Sequence, residues 1–447
     1  MLGVLLGSMS VFSYGQLSNG EIIPKSNSPY SRFGLGDFVN PYFASQAGLG
    51  GLGVAWIDVS MVNPINPASL AYLLNTSMEA SVDIKYSSYS YENSKGTTWT
   101  GNLNYLSLGF PLQNPINLAL DQRRPDFSWG MNLMLQPYTT VGYNVEINGE
   151  VSNSDAFTNV LKGTGGTYKL TWGNGWRYKD FSFGINSSYV FGKIVNSRRV
   201  SLDLLSLDAY STEFLDEFSV SGLQFRLGAQ YVLKLDKDVT GPSTTISNQR
   251  RLIFGAFLTN ATSFDARATS FYSRDNFSIR LNEVDTVLYV EDEQLPGRLP
   301  LEMGFGVTYE KLNKLRVSAE YQMSQWSNYE NAAKPDQLLD SYRAALGVEY
   351  IPNLGSYNRY WERMRYRFGF FYGTDPRQSQ GVQLEQYGLS MGIGMPLVMP
   401  RQTVSFLHIG IELGQFGASE LLKENYARVT LGFSLNDNSW FFKRKFN

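Results

Sequence analysis

The first residues along the chain whose types and spacing could do chemistry are Gly48-Leu49-Gly50-Gly51-Leu52-Gly53, a literal GxGxxG. In a dinucleotide site such glycines let backbone N–H groups approach a pyrophosphate, and an acidic residue about twenty positions on holds a ribose hydroxyl. Here no βαβ pattern follows and no acid stands at that distance, so the run reads as close backbone packing that only glycine permits. His408 is the single histidine. It cannot build a His-rich metal site, and no Ser–His–Asp arrangement follows from spacing, which leaves a hydrolase as a minor reading beside a satisfied interior histidine. The acids Glu283, Asp285, Glu291, Asp292 and Glu293 read as a solvated face, with calcium capture the minor alternative because they lack a recognisable ligand spacing. No cysteine is present, which excludes disulfides, Cys-ligated metals and a lipoprotein anchor. A net charge of -2 with scattered Lys and Arg gives no nucleic-acid footprint. Nothing calls for a metal or a cofactor.

The remaining charges follow a pattern. Arg316, Glu320, Arg343, Glu349, Arg365, Arg367 and His408 occupy one side of segments whose other side is apolar. These segments alternate strictly, as a strand does and a helix cannot. Leu223, Phe225, Leu227, Ala229, Tyr231, Leu233 and Leu235 alternate with Gln224, Arg226, Gly228, Gln230 and Lys234; Tyr342, Ala344, Leu346, Val348 and Tyr350 do so with Arg343, Ala345, Gly347 and Glu349. Soluble strands average about five or six residues, whereas a tilted membrane strand needs about nine to eleven, and these segments reach the longer class. The composition agrees: 28 Tyr, 28 Phe and 42 Gly stand beside only 17% charged residues.

The expected fold is therefore all-β, a transmembrane antiparallel barrel in a bacterial outer membrane. The strands fall at about 78–91, 102–112, 126–147, 166–177, 181–193, 219–235, 250–262, 299–310, 314–326, 340–351, 363–374, 384–396, 402–415 and 425–435, fourteen in all, with the register least secure over 194–298. Long connections at 148–165, 194–218, 263–298 and 327–339 are expected outside and tight ones at Lys179-Asp180 and Lys311 to Asn313 inside. Tyr178, Trp326, Tyr350, Tyr372 and Tyr387 are expected at the water interfaces. Residues 1–15 read as a signal peptide, 16–76 as an N-terminal plug, 77–435 as the barrel and 436–447 as a periplasmic tail. Pro137 interrupts the third strand, where a missing N–H breaks a ladder bond, which by itself reads as a bulge or a simple strand end near the interface.

Ala47-Gly48-Leu49-Gly50-Gly51-Leu52-Gly53 followed by Asn63-Pro64-Ile65-Asn66-Pro67-Ala68-Ser69-Leu70 resembles the hatch of FadL-type outer-membrane proteins, in a branch like that of the Bacteroidota. Gly163-Thr164-Gly165-Gly166, the strand Ser341 to Pro352 and the tail from Leu431 to Lys445 resemble the same branch. The resemblance implies a fourteen-stranded barrel with a hatch marked by Gly48, Gly50, Gly51, Gly53, Asn66, Pro67, Ala68 and Leu70. It also implies passive import of a fatty-acid or hydrocarbon class of ligand, with a lateral gate at Gln136 and Pro137. Secretion-associated barrels share this architecture, so the alternative is an accessory subunit bound to a large outer-membrane secretion or assembly partner. The inward charges read either as attraction for a carboxylate-bearing ligand or as ion pairs tying the plug to the wall, and outer-membrane lipid is the surrounding partner.

Overall fold

The computed structural model describes residues 28–91, 94–113, 126–151, 155–203, 210–236, 249–276, 284–399, 403–418 and 422–437. The segment read as a signal peptide and residues 438–447 of the expected tail lie outside these. Fourteen strands form the wall: β1 Thr76–Tyr91, β2 Ser94–Pro111, β3 Phe127–Val151, β4 Asp155–Tyr178, β5 Phe181–Asp203 and β6 Tyr210–Lys234. β7 comes in two pieces, Arg250–Thr259 and Thr262–Asn276, as does β8, Val284–Leu299 and Glu302–Lys311. The set continues with β9 Leu315–Ser324, β10 Ser341–Tyr350, β11 Arg365–Ser379, β12 Val382–Val398, β13 Val404–Gly417 and β14 Lys423–Asp437. Each pairs antiparallel with its neighbour, and β14 closes on β1 from Lys423 opposite Ser90 to Asp437 opposite Thr76. The edgeless ring lets backbone groups pair within hydrocarbon, which an open sheet cannot do.

Alternation sorts the side chains as the sequence implies. On β10 Tyr342, Leu346, Val348 and Tyr350 face outward, and Ala345, Gly347 and Glu349 are buried within. The extent of the strands differs from expectation. β3 to β6 run for 23 to 25 residues, through most of the spans expected to be the loops 148–165 and 194–218. The span 263–298 likewise belongs largely to β7 and β8, so Asp285 and Glu293 sit on paired strand, Glu291 and Asp292 fall in an irregularity of that pairing, and Glu283 lies outside the described residues. At about 3.3 Å per residue β3 is about 80 Å long, against a hydrocarbon core of about 30 Å. Beyond the lipid no apolar face is needed, so the alternation that marks a strand fades while the ladder persists, held by pairs such as Arg199–Glu213 and Asn148–Thr158. β9 and β10, with ten residues each, barely span a bilayer, and the wall is tall only from β3 to β8. The expected contrast of long outer and short inner connections fails for the same reason. At the β1–β2 end, here the upper end, two residues separate β1 from β2, whereas fourteen separate β10 from β11 at the lower end.

Trp326 also departs from expectation. It lies in the turn Trp326–Asn328 after β9, is only 4% exposed, and packs against Phe38 and Tyr329 inside the ring. The connection it begins folds inward over the lumen, where Leu338 joins a buried cluster with Tyr138, Val190, Phe218, Phe264 and Leu299.

Candidate functional site

The irregular segment from Ser28 to Asn75 lies within the ring and touches the wall all round. Pro67 begins a short 3-10 turn, Pro67–Tyr72, capped by Asn66, whose side chain accepts from the Ala68 N–H at 3.1 Å. The Asn66 amide also donates to the carbonyls of Val54, Ala229 and Ala256, holding the turn against β6 and β7. Gly50 and Gly51 adopt φ +68 and +73, and the chain there passes between Phe370 of β11 and Tyr42. Gly48 meets Gly392 of β12 backbone to backbone, and Gly53 lies against Ile65. Ala68 and Leu70 are buried, Leu70 between β3 and β4.

The wall receives this segment on glycines that sequence reasoning did not single out. A Cβ at Gly130 would lie 2.0 Å from the Leu70 carbonyl oxygen, at Gly255 2.1 Å from that of Val54, and at Gly369 2.2 Å from the Gly50 nitrogen. Gly184, Gly228, Gly392 and Gly432 play the same part on β5, β6, β12 and β14. The available signal was glycine recurring at inward positions of alternating strands.

The inward charges divide into groups. Glu349 accepts from Arg316 at 3.1 Å and from Arg367 at 2.7 Å. Arg316 also pairs with Glu310 at 2.7 Å, which pairs with Arg251 at 2.5 Å. Arg367 reaches His408 Nδ1 at 3.0 Å. Arg365 instead pairs with Asp58 of the segment at 2.5 Å, and Arg316 donates to the Ile57 carbonyl, so this network joins wall and segment. Glu320 and Arg343 act separately: Glu320 accepts from the N–H groups of Val54 and Ala55, and Arg343 donates to the Gly50 carbonyl. Asp58, Glu310 and Arg251 were missed because their partners depend on register. At the upper rim Lys334 donates to the Arg32 carbonyl, and burial pushes its ammonium down to about 8.

Between β2 and β3 the ladder is incomplete. It runs from Pro111 opposite Gly130 to Leu106 opposite Leu135 and is paired no further, although both strands continue upward. β2 carries an irregularity opposite Ser81 and Val82, and β3 one between Pro137 and Thr139 in its otherwise continuous pairing with β4. The proline has no N–H to offer and stands two residues above the last β2 pair. From inside, Asp37 and Phe38 pair with Thr140 and Thr139, and the Val39 N–H donates to the Tyr138 carbonyl. Beside this stretch of β3 lies a cavity of about 220 Å³, whose lining includes the apolar Phe38, Pro41, Ile65, Met134 and Pro137 and the polar Gln136, Lys169, Gln224, Arg226 and Glu302.

The architecture is shared with solved outer-membrane transporters. The toluene transporter TodX of Pseudomonas putida is 14% identical over 89% of this chain and 99% of its own, with a TM-score of 0.53. The toluene transporter TbuX of Ralstonia pickettii is 13% identical over 90% and 99%, at 0.52. A FadL homologue of Pseudomonas aeruginosa is 13% identical over 89% and 98%, also at 0.52. At such identities the likeness is one of fold. No curated protein matches the chain. A family model described as BamG matches residues 5–447, and the chain therefore belongs to the BamG family.

Proposed function

We propose that this barrel sits in the outer membrane and passes a hydrophobic small molecule, of the fatty-acid or hydrocarbon class, passively across the wall. The ligand occupies the cavity above the N-terminal segment and leaves sideways between β2 and β3. The observation that carries this reading is the end of the β2–β3 ladder at Leu106 and Leu135, next to Met134, Gln136 and Pro137 of β3, which line that cavity. The names of the solved neighbours, toluene transporters and a FadL homologue, support the ligand class. In this reading the segment serves as a hatch that stays seated, since the wall glycines hold it backbone to backbone. Gln136 and Pro137 keep the gap open, and the ion pairs through Asp58 anchor the hatch.

Replacing Pro137 by Val restores a donor at the break. Cells carrying Pro137→Val are expected to take up radiolabelled fatty acid or toluene more slowly than the parent at equal amounts of folded barrel. Equal uptake rates would argue against lateral release.

A second reading rests on a different observation. The lumen above the cavity is filled by the cluster of Leu35, Val190, Phe218, Leu299, Trp326 and Leu338, which suits a barrel that never conducts and serves as an accessory subunit of a larger outer-membrane complex. A stoichiometric large partner retained through mild-detergent purification, with no ligand in the lumen, would favour it.

A further inference from the structure

We infer that the cavity beside the β2–β3 break is built for an amphiphile with an anionic head, held by Lys169, Tyr138 and Gln224. This rests on the ligand-carrying reading above and names the head-group chemistry within it. Lys169 stands on β4 and is only 7% exposed. Its ammonium donates to Gln224 Oε1 at 2.7 Å and lies 3.5 Å from the centre of the Tyr138 ring. Both partners are neutral. Among the described residues no carboxylate lies within 4 Å of Lys169, and the two carboxylates that line its cavity, Glu302 and Asp375, are taken by Arg226 and by Arg377, each at 2.7 Å. A buried cation without a counter-ion is costly and calls for an anion or a charge-assisted acceptor.

The surrounding donors point the same way. The Tyr138 hydroxyl and the Gln224 side-chain nitrogen are both buried and without a hydrogen-bond partner among the described residues, although buried polar groups are nearly always paired. Together with the two remaining N–H bonds of Lys169 they form a cluster of donors, and of the cavity's lining only Asn186 Oδ1 is an acceptor likewise left without a partner among the described residues. A carboxylate or phosphate offers acceptor oxygens to all three, whereas a neutral hydrocarbon satisfies none. The apolar residues of the same lining, Phe38, Pro41, Ile65, Met134 and Pro137, then take the start of the tail.

The test uses the full-length protein in a neutral detergent and three probes sharing a ten-carbon chain: decanoate, decyl phosphate and decan-1-ol. The parent is expected to bind an anionic probe more tightly than decanol, on the order of tenfold or more, as charge-assisted bonds allow. Lys169→Met should abolish that preference, bringing the anionic probes to the affinity of decanol, and Lys169→Arg should retain it. Gln224→Leu serves as a second variant should Lys169→Met fail to show the heat-modifiable mobility of the folded barrel. Tighter decanoate names a free acid as the ligand, and tighter decyl phosphate a lipid-type phosphate; either supports the site. Equal binding of decanol and both anions by the parent overturns the anion site and leaves the ligand-carrying reading standing. Absence of binding by all three probes overturns that reading as well.

Discussion

Glu349 is the joint of the luminal ion network, and Glu349→Gln removes its charge with almost no change of volume. The carboxylate takes one bond from Arg316 and another from Arg367, and the two losses are unequal. Arg316 keeps Glu310 at 2.7 Å, whereas the Arg367 side chain, 1% exposed, keeps His408 as its one side-chain partner among the described residues. Breaking a buried pair by removing one partner typically costs about 3–5 kcal/mol, and most of that should fall on Arg367. One kcal/mol moves a melting point by about 2–4 °C in domains of 150–250 residues and by less in larger ones, so a fall on the order of 5 °C is expected. The assay is the temperature at which the folded band converts to the unfolded band on cold gel electrophoresis, at one fixed heating time because barrel unfolding is under kinetic control. Arg367→Met added to Glu349→Gln removes the stranded cation and should recover most of the loss. A single variant that melts with the parent, or a double variant whose losses simply add, would refute the assignment of the cost to an uncompensated Arg367.

Phe433 faces outward on β14 with 39% of its surface exposed, and Phe433→Asp should lower folding yield by an amount equivalent to about 2 kcal/mol near the bilayer middle; normal yield would place that face away from lipid. Gly255→Val sets a side chain where a Cβ already meets the Val54 carbonyl at 2.1 Å, so limited proteolysis should cut between residues 40 and 75 in the variant and not in the parent. Lys334 has its value lowered to about 8 from 10.5, so the folded state holds fewer protons than the unfolded one between these limits. The stability of the parent relative to Lys334→Met should therefore rise as pH climbs through about 8 toward 10, and a flat difference would contradict the burial of this ammonium.

Alternation carried the architecture. Lipid demands one apolar face per strand, and Leu223 to Leu235 or Tyr342 to Tyr350 obey that demand so strictly that the fourteen strands could be placed from it alone. The same demand ends at the lipid boundary, which is why the upper halves of β3 to β8 looked like loops: nothing there forces a period of two on hydrophobicity. Inward residues obey a different constraint, fit to whatever packs against them. Arg316, Glu349, Arg365, Arg367 and His408 could be named as inward, but Asp58, the partner of Arg365, sits in an aperiodic segment whose path no local rule gives. Lys169 was passed over for a related reason. One lysine on an alternating strand looks like any luminal charge, and only the cross-strand register that sets Gln224 and Tyr138 beside it reveals that it lacks a counter-ion.

The seated segment has a consequence for how the ring comes to close. β1 and β14 must find each other across nearly the whole chain, and bringing such distant ends together carries an entropic penalty that grows with the logarithm of the separation. Residues just ahead of β1 already grip both sides of that seam. The Val62 N–H donates to Glu79 of β1, Glu79 accepts from Ser434 of β14, and Ala44 rests on Gly432 one turn of the pleat away. In the closed ring the segment is thus a clasp across the seam, holding the first and last strands through one carboxylate and one close contact.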